Sequence, residues 1–470
     1  MTDSLKFGTS GLRGLASDLE GAATRQYTAA FLAHLAATGQ GGGSGRLFIG
    51  RDFRASSAAI AADCASAART AGLVPVDCGT LPTPALALHA MMQGGPAIMI
   101  TGSHIPADRN GLKFYAPLGE ISKADEAGIL AQLRDAADGL PGTTEDGAAL
   151  AGDRYRQRYR GLLGSDTLSN WRIGVFEHSS VARDMLVSML VRAGATVVRL
   201  GREAGFVAVD TEATNDAIYA RRQDWIAAHD LDAIVSTDGD GDRPLVIDAA
   251  GEFVRGDVLG LVAARFVGAS RVVTPVTSNS AIEAVGFFSQ VLRTKVGSPH
   301  VIAGMQQAAA PGEVVVGFEA NGGLLLGSEV SVNGKQLAPL PTRDAVLPIL
   351  ALLGSAAMAG RSLAELVATL PVRPALSDRL TEVPTERTQA LLARLVEDAA
   401  FQAAFFAPVG TVESLATIDG PRFVLAGGDV VHYRPSGNAP ELRCYVEGAT
   451  PERAAELLAW GLAAAGREVG

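Results

Sequence analysis

Cysteines, aromatic side chains and long apolar runs are all scarce in this sequence. Its 470 residues include 3 cysteines, Cys64, Cys78 and Cys444, and aromatic residues make up 6%. Few cysteines and no CxxC pair indicate a reducing compartment, in which thiols serve as small core residues. No apolar run reaches the length of a membrane span, and the first residues lack a signal core. We therefore expect a soluble, cytoplasmic protein without a membrane partner.

Basic residues are fewer than acidic ones. Lysine and arginine total 40 against 50 aspartate and glutamate residues, which gives a formal net charge of -10. This balance disfavours nucleic acid and anionic membranes as partners. A site for an anionic substrate must therefore be built locally, from a few placed arginines and lysines. The sequence leaves the oligomeric state open between a monomer and a dimer.

Apolar residues and glycine are abundant, and predicted strands alternate with predicted helices. Hydrophobic residues make up 48% of the chain and glycine contributes 54 residues, which fits a compact α/β protein. Three rounds of strands and helices each end in a polar loop. The pattern changes after Pro371, where we expect several strands around one helix near residues 389–399. The sequence predicts three similar α/β domains with mixed, mostly parallel sheets and a smaller C-terminal α+β domain, arranged around a central cleft. The predicted limits are 1–147, 148–254, 255–370 and 371–470.

The loop TGSHIP at residues 101–106 follows a short apolar run that is typical of a buried strand. Ligands bind at strand ends in open α/β sheets, so the Ser103 hydroxyl and the His104 imidazole are candidates for a site. Lys113 opens the next apolar run and can bring an ammonium group to the same edge. The alternative is a plain turn between two strands.

The loop DGDGDR at residues 238–243 places three carboxylates at alternate positions on a glycine-rich turn. Crowded carboxylates repel one another unless a cation compensates them, and hard oxygen ligands suit Mg²⁺. An EF-hand does not fit, because Arg243 stands where that loop needs glycine and the twelfth position has no glutamate. A DxDxT phosphatase loop lacks its threonine. The alternative is a solvated acidic turn.

Two further loops offer polar groups for a phosphorylated sugar. Glu319 and Asn321 follow a strand among glycines and can accept from and donate to neighbouring hydroxyls. The run Arg434–Asn438 supplies a guanidinium, a hydroxyl, an amide and free backbone N–H groups, which together suit a phosphate. Taken alone, the first pair is equally typical of a turn or a helix cap.

These loops, in this order, resemble those of the α-D-phosphohexomutases, in the phosphomannomutase/phosphoglucomutase branch. The resemblance covers essentially the whole chain. It includes an N-terminal signature at 7–14, a phosphoserine loop at 101–106, a metal loop at 238–243, a sugar loop at 317–323 and a phosphate loop at 434–438. Gly102 and Ile105 depart from the usual TASHNP, and Asn438 and Ala439 from the usual SGTEP.

The resemblance implies reversible interconversion of hexose 1-phosphate and hexose 6-phosphate, for mannose, glucose or both. Ser103 would carry the phosphoryl group, Mg²⁺ would be a cofactor, and a hexose 1,6-bisphosphate would be the intermediate and activator. The implied metal ligands are Ser103, Asp238, Asp240 and Asp242. Lys113 and Arg13 are candidates for proton transfer and charge stabilisation, with His104 as the competing base. The implied substrate-binding residues are Arg243, Gly297, Ser298, His300, Glu319, Asn321, Arg434, Ser436, Gly437 and Asn438.

The same resemblance assigns the four predicted domains, in order, to phosphoserine, metal, sugar and phosphate binding. Three rival functions stay open. Phosphoglucosamine mutase would use the same residues on an amino sugar. A metal-dependent sugar phosphatase would admit water to the phosphoserine, and a non-catalytic protein would only bind the sugar phosphate.

Overall fold

The computed structural model describes residues 4–8, 11–135, 138–213, 217–435 and 440–470. Within these ranges the strands form four sheets of five to eight strands and one two-stranded sheet. Three α/β segments are followed by a C-terminal segment with an antiparallel sheet, so the predicted fold class is confirmed. The domain limits stay predictions. In the described part of the chain, none of the helices is both long and apolar enough to cross a membrane.

The first segment carries an eight-stranded mixed sheet. Its strands are β1 (Lys6–Phe7), β2 (Leu12–Leu15), β3 (Arg46–Arg51), β4 (Val74–Thr80), β5 (Ala97–Ile100), β6 (Arg109–Ala116), β7 (Gly119–Glu120) and β8 (Glu145–Asp146). Its helices are α1 (Ala16–Leu19), α2 (Ala22–Ala37), α3 (Ser57–Thr70), α4 (Thr83–Gln93) and α5 (Lys123–Ala131). The order is β1-β2-β6-β5-β3-β4-β8, with β7 paired to β6. Because β3 and β5 are parallel, the loops after both strands lie at one edge.

The second segment begins with a helix and forms a five-stranded sheet. Its elements are α6 (Ala148–Tyr159), β9 (Arg172–His178), α7 (Arg183–Arg192), β10 (Thr196–Arg202), a 3₁₀ turn (Ala217–Tyr219), α8 (Arg222–His229), β11 (Ala233–Thr237), β12 (Pro244–Asp248) and β13 (Phe253–Val254). The strand order is β10-β9-β11-β12-β13. Strands β11 and β12 are antiparallel, so residues 238–243 form the tight connection between them.

The third segment contains another five-stranded sheet. Its elements are α9 (Gly256–Phe266), β14 (Arg271–Pro275), α10 (Ala281–Ala284), β15 (Gln290–Thr294), α11 (Ser298–Ala308), β16 (Val315–Phe318), β17 (Leu324–Leu326), β18 (Val330–Val332), β19 (Lys335–Leu337), β20 (Leu340–Asp344), α12 (Val346–Met358) and α13 (Leu363–Ala368). The order is β15-β14-β16-β17-β20, and β18 pairs with β19. Residues 319–323 join β16 to its antiparallel neighbour β17.

The C-terminal segment packs helices on an antiparallel sheet. Its elements are β21 (Ala375–Leu380), α14 (Thr385–Glu397), α15 (Ala399–Phe406), β22 (Val412–Ala416), β23 (Arg422–Leu425), β24 (Val430–Pro435), β25 (Leu442–Glu447) and α16 (Pro451–Val469). The sequence predicts a single helix near 389–399, which is wrong. Two helices meet at Asp398, because its side chain accepts a 2.9 Å hydrogen bond from the N–H of Phe401 and so caps the second helix.

Among the described residues, the largest cluster of buried side chains spans the three α/β segments, three smaller clusters lie within them, and another belongs to the last segment. One cluster of buried side chains extends from Phe48 in β3 to Leu370 after α13, so the α/β segments share a core. The C-terminal segment has its own cluster around Phe406 and Phe423. The C-terminal segment shares no cluster of buried apolar side chains with the described parts of its neighbours. We therefore expect it to move more readily than the other three segments.

Candidate active site

The serine loop leaves the end of the buried strand β5 in a tight, braced conformation. Ser103 has a φ of 53°, in the left-handed region that residues other than glycine rarely adopt. Its N–H donates to the Thr101 hydroxyl at 2.8 Å, and that hydroxyl donates to Asp52 at 2.8 Å. The loop therefore holds the Ser103 side chain in a fixed direction, which a nucleophile requires.

Asp52 and Arg54 brace this loop, and sequence reasoning missed both. They form a fully buried ion pair in which Arg54 Nε lies 3.1 Å from Asp52 Oδ2. Arg54 also donates to four backbone carbonyls of the loop, those of Ser103, Ile105, Pro106 and Arg109, at 2.6–3.0 Å. A usable signal was present, since the run RDFR follows the strand parallel to β5.

The serine meets the three predicted metal-binding aspartates of the second segment. Ser103 Oγ donates to Asp238 Oδ2 at 2.5 Å. Carboxylate oxygens of Asp238, Asp240 and Asp242 all lie within 4.8 Å of one another, and the three residues are buried. Oδ1 of Asp240 and Oδ1 of Asp242 are buried and have no hydrogen-bond partner. Such unsatisfied oxygens are the ligands a divalent cation needs, so the site fits one.

Lys113 is buried against the same carboxylates. Its Nζ lies 2.5 Å from Asp240 and 2.6 Å from Asp242. Burial by itself lowers the pKa of this ammonium, but the two aspartates outweigh burial and the pKa is raised. The lowered pKa that a lysine base requires is therefore not produced by these protein groups. A divalent cation bound to the same carboxylates would lower the pKa of Lys113, because its positive charge disfavours the ammonium form.

His104 lies beside the serine, and one of its ring nitrogens is already engaged by Arg243. Its Nδ1 accepts a 3.1 Å hydrogen bond from Arg243 and is 3.5 Å from Ser103 Oγ. Burial and the charge of Arg243 lower its pKa to about 4, so the ring is neutral near pH 7.

Burial, followed by the charges of Arg243 and Arg343, also lowers the pKa of Arg13 to about 10. Arg13 therefore lies near the guanidiniums of Arg243 and Arg343 and the carboxylates of Asp240 and Asp242.

Arg343, at the end of β20, links the aspartates to the predicted sugar loop. It donates to Asp242 through Nη2 at 2.7 Å and to Glu319 through Nη1 at 3.0 Å. Gly323 makes room for it, because a Cβ at that position would lie 2.8 Å from the Arg343 Cδ. Sequence reasoning missed this residue. The signal was a lone arginine directly before the apolar helix α12.

The predicted sugar loop is a tight turn with polar groups directed into its own backbone. Glu319 is buried, and its carbonyl accepts from the N–H of Gly322 at 2.9 Å. The Oδ1 of Asn321 accepts from the N–H of Gly323 at 3.0 Å. Asn321 therefore does stabilise the turn through its side-chain oxygen. The NH₂ group of the same amide is still a donor that a sugar hydroxyl can use.

The predicted residues Gly297, Ser298 and His300 lie at the start of α11: Gly297 ends the loop before the helix, and the other two lie in its first turn. Gly297 has a φ of 124°, which favours glycine. Ser298 donates to Glu120 of β7 at 2.7 Å, and the Thr342 hydroxyl donates to the other Glu120 oxygen at 2.8 Å. Sequence reasoning missed Glu120, which ties this loop and β20 to the first segment.

The predicted phosphate loop is described only at its first two residues, Arg434 and Pro435. Arg434, at the end of β24, bonds to Asp419 at 2.7 Å. Ser436, Gly437 and Asn438 lie outside the described residues. The contacts above thus join Ser103, Lys113, Arg13, His104, Arg243, Glu319 and the three aspartates in one site, while Arg434 is connected through Asp419 to the loop before α11.

Comparison with known proteins gives matches along the chain. Models of phosphoglucomutase/phosphomannomutase domain I, domain III and the C-terminal domain match residues 4–138, 255–373 and 381–460. A phosphomannomutase from Sinorhizobium fredii is 50% identical over 97% of this chain and 98% of its own length. One from Salmonella muenchen is 42% identical, with coverage of 97% and 94%.

More distant matches agree with these. A phosphoglucosamine mutase from Acidothermus cellulolyticus is 31% identical over 96% of this chain and 94% of its own length. The crystal structure of a putative phosphomannomutase from Thermus thermophilus has the same fold, with a TM-score of 0.78 and 24% identity over 98% of this chain and 99% of that one. With two relatives above 40% identity along nearly its full length, this chain belongs to the phosphoglucomutase/phosphomannomutase family of phosphohexomutases.

Proposed function

We propose that this protein interconverts mannose 1-phosphate and mannose 6-phosphate, and that it accepts the glucose phosphates as well. The observation that carries the proposal is the 2.5 Å contact between the Ser103 hydroxyl and Asp238 in a buried triad of carboxylates. A nucleophile beside a cation site is the arrangement that phosphoryl transfer needs. The names of two relatives above 40% identity, both phosphomannomutases, support mannose.

Asp238, Asp240 and Asp242 would hold Mg²⁺, together with an oxygen of the phosphorylated Ser103. The unpartnered oxygens of Asp240 and Asp242 support this assignment. When bound, the cation neutralises charge on the transferring group. Arg13 and Arg243 add fixed positive charge beside the serine, which stabilises the same group.

The first transfer moves the phosphoryl group from Ser103 to the sugar. The free sugar hydroxyl attacks phosphorus, the bond from phosphorus to Ser103 Oγ breaks, and its electron pair stays on Oγ. With a divalent cation on Asp240 and Asp242 to lower its pKa, neutral Lys113 would accept the hydroxyl proton. The product is a hexose 1,6-bisphosphate, which is also the activator that would phosphorylate Ser103 when the serine has lost its phosphoryl group.

The intermediate then turns end over end, and the opposite phosphate returns to Ser103. Glu319 and Asn321 would hold central sugar hydroxyls in both orientations, and the loop with Gly297, Ser298 and His300 would face the sugar. The distal phosphate would be held by Arg434, Ser436, Gly437 and Asn438. We place the activity in the cytoplasm, which fits three buried, free cysteines.

The test is an assay of mannose, glucose and glucosamine 1-phosphates with Mg²⁺ and glucose 1,6-bisphosphate. We expect the mannose and glucose 6-phosphates to form and Ser103→Ala to abolish their formation. Ser355→Ala, on α12 outside the site, is the matched control and should retain full activity.

Other outcomes would favour the rivals. Conversion of glucosamine phosphate alone would support phosphoglucosamine mutase. Sustained release of inorganic phosphate without isomerisation would support a phosphatase. Sugar-phosphate binding without any transfer of label to Ser103 would support a non-catalytic protein.

A further inference from the structure

One carboxylate oxygen of Asp419 accepts hydrogen bonds from two different segments. Nε of Arg434 donates to Asp419 Oδ2 at 2.7 Å. The backbone N–H of Val296 donates to the same oxygen at 3.0 Å. Arg434 ends β24 in the C-terminal segment, whereas Val296 precedes α11 in the third. A single atom therefore joins the two loops to which the sequence assigns the sugar and its distal phosphate.

The position of Asp419 is set by its contacts with β24. His432 Nε2 donates to the Asp419 carbonyl at 2.8 Å. Because His432 and Arg434 are two residues apart in a strand, both side chains project from the same face and hold residue 419 from one side. Gly420 has a φ of 83°, and a Cβ there would lie 2.1 Å from the Tyr433 carbonyl. The turn thus fits tightly against the strand.

Because the contact with Asp419 uses Nε of Arg434, the two Nη groups can bind a phosphate. Arginine has five N–H donors, and the two Nη groups can make a bidentate pair once Nε is occupied. The surroundings are basic. Burial, followed by the charges of Lys295 and Lys123, lowers the pKa of His300; Asp419 opposes this shift and Arg434 adds to it. Cationic groups from three segments therefore approach His300, which suits a doubly charged phosphate.

We propose that Asp419 is a positioning residue for the non-reacting phosphate. It orients the Arg434 guanidinium and fastens the loop at 295–300 to the phosphate loop, so that both contact the sugar phosphate together. This inference rests on the proposed function, in which Arg434 binds that phosphate. The opposite role, in which the carboxylate competes with phosphate for Arg434, predicts the opposite sign in the same experiment.

The test measures binding of mannose 6-phosphate by titration calorimetry, in a Ser103→Ala background that prevents transfer. Asp419→Ala should weaken binding about tenfold, the size expected for one lost charge-assisted hydrogen bond. Asp419→Asn should weaken it less, because the amide oxygen still accepts. In an Arg434→Ala background, Asp419→Ala should weaken binding clearly less than it does with Arg434 present, since the part that acts through Arg434 is already lost. Glu456→Gln, which removes an exposed partner of Arg453 on α16, is the control and should bind normally.

Unchanged or tighter binding in Asp419→Ala would overturn the proposal, as would an equal loss in the Arg434→Ala background. Thermal unfolding of each variant separates positioning from misfolding, and Asp419→Asn carries the test if the alanine variant does not fold. Turnover of the wild type is assayed separately. A wild type that binds the sugar phosphate without converting it would contradict the proposed function, while the calorimetry still decides the role of Asp419.

Discussion

The hydroxyl of Ser103 lies 2.5 Å from the carboxylate of Asp238, although 135 residues separate them in the chain. The serine leaves a strand of the first segment and the aspartate leaves a strand of the second. The contact brings the predicted nucleophile to the predicted metal ligands. The roles of the cation, of the residues that brace the serine loop and of the neighbouring arginines can each be tested separately.

Chelation of divalent cations should abolish activity, and added Mg²⁺ should restore it. Asp240→Asn should raise the Mg²⁺ concentration for half-maximal rate by about tenfold or more, because it removes a charged oxygen ligand. Asp153→Asn, an exposed residue on α6, is the matched control. The same Mg²⁺ dependence in Asp240→Asn and the wild type would contradict the metal assignment.

Arg343→Ala should lower kcat about hundredfold, because it removes a fixed positive charge from the site and frees Glu319. Arg343→Lys should fall between, since an ammonium group cannot bridge Asp242 and Glu319 as a guanidinium does. Steady-state kinetics with mannose 1-phosphate checks both, with the exposed Arg361→Ala as control. Activity of Arg343→Ala within twofold of the wild type would remove this residue from the site.

Arg54→Ala should destabilise the fold by about 3–5 kcal/mol, because it leaves the buried carboxylate of Asp52 unpaired. It also removes the donor for four carbonyls of the serine loop. Urea unfolding measures the loss. Arg51→Ala is the comparison, since its pair with Asp77 is partly exposed and should cost about 1 kcal/mol or less. Equal costs for the two variants would show that burial is not the cause.

Acid should destabilise the protein through His432. Burial lowers the pKa of this imidazole to about 4, and its Nδ1 is buried without a hydrogen-bond partner. An unfolded histidine has a pKa of about 6.5, so between pH 6.5 and pH 4 the unfolded state binds the extra proton. Stability from this group is therefore full above pH 6.5 and is lost as the pH falls, by at most about 1.4 kcal/mol per pH unit. Urea unfolding of His432→Gln should show a flatter dependence, while His229→Gln should follow the wild type.

Much of the organisation could be predicted from local pattern. Short buried strands followed by polar loops located Ser103 and Asp238, because ligand groups gather where parallel strands end. The resemblance then connected loops that the pattern alone could not relate. The pattern of apolar residues predicted one helix where the structure has α14 and α15. It could not show that Asp398 ends the first helix and caps the second.

The reactive groups can be located in the sequence alone: a serine, three alternating aspartates and a phosphate loop that begins with arginine, each on a turn between predicted strands. The side chains that surround them are known only once the chain is folded. Arg54, Glu120, Arg343 and Asp419 acquire their roles from partners on distant segments, and no local periodicity encodes such a partner. The physical reason is that a buried charge needs a specific counterpart, and the packing of whole domains selects which one it meets.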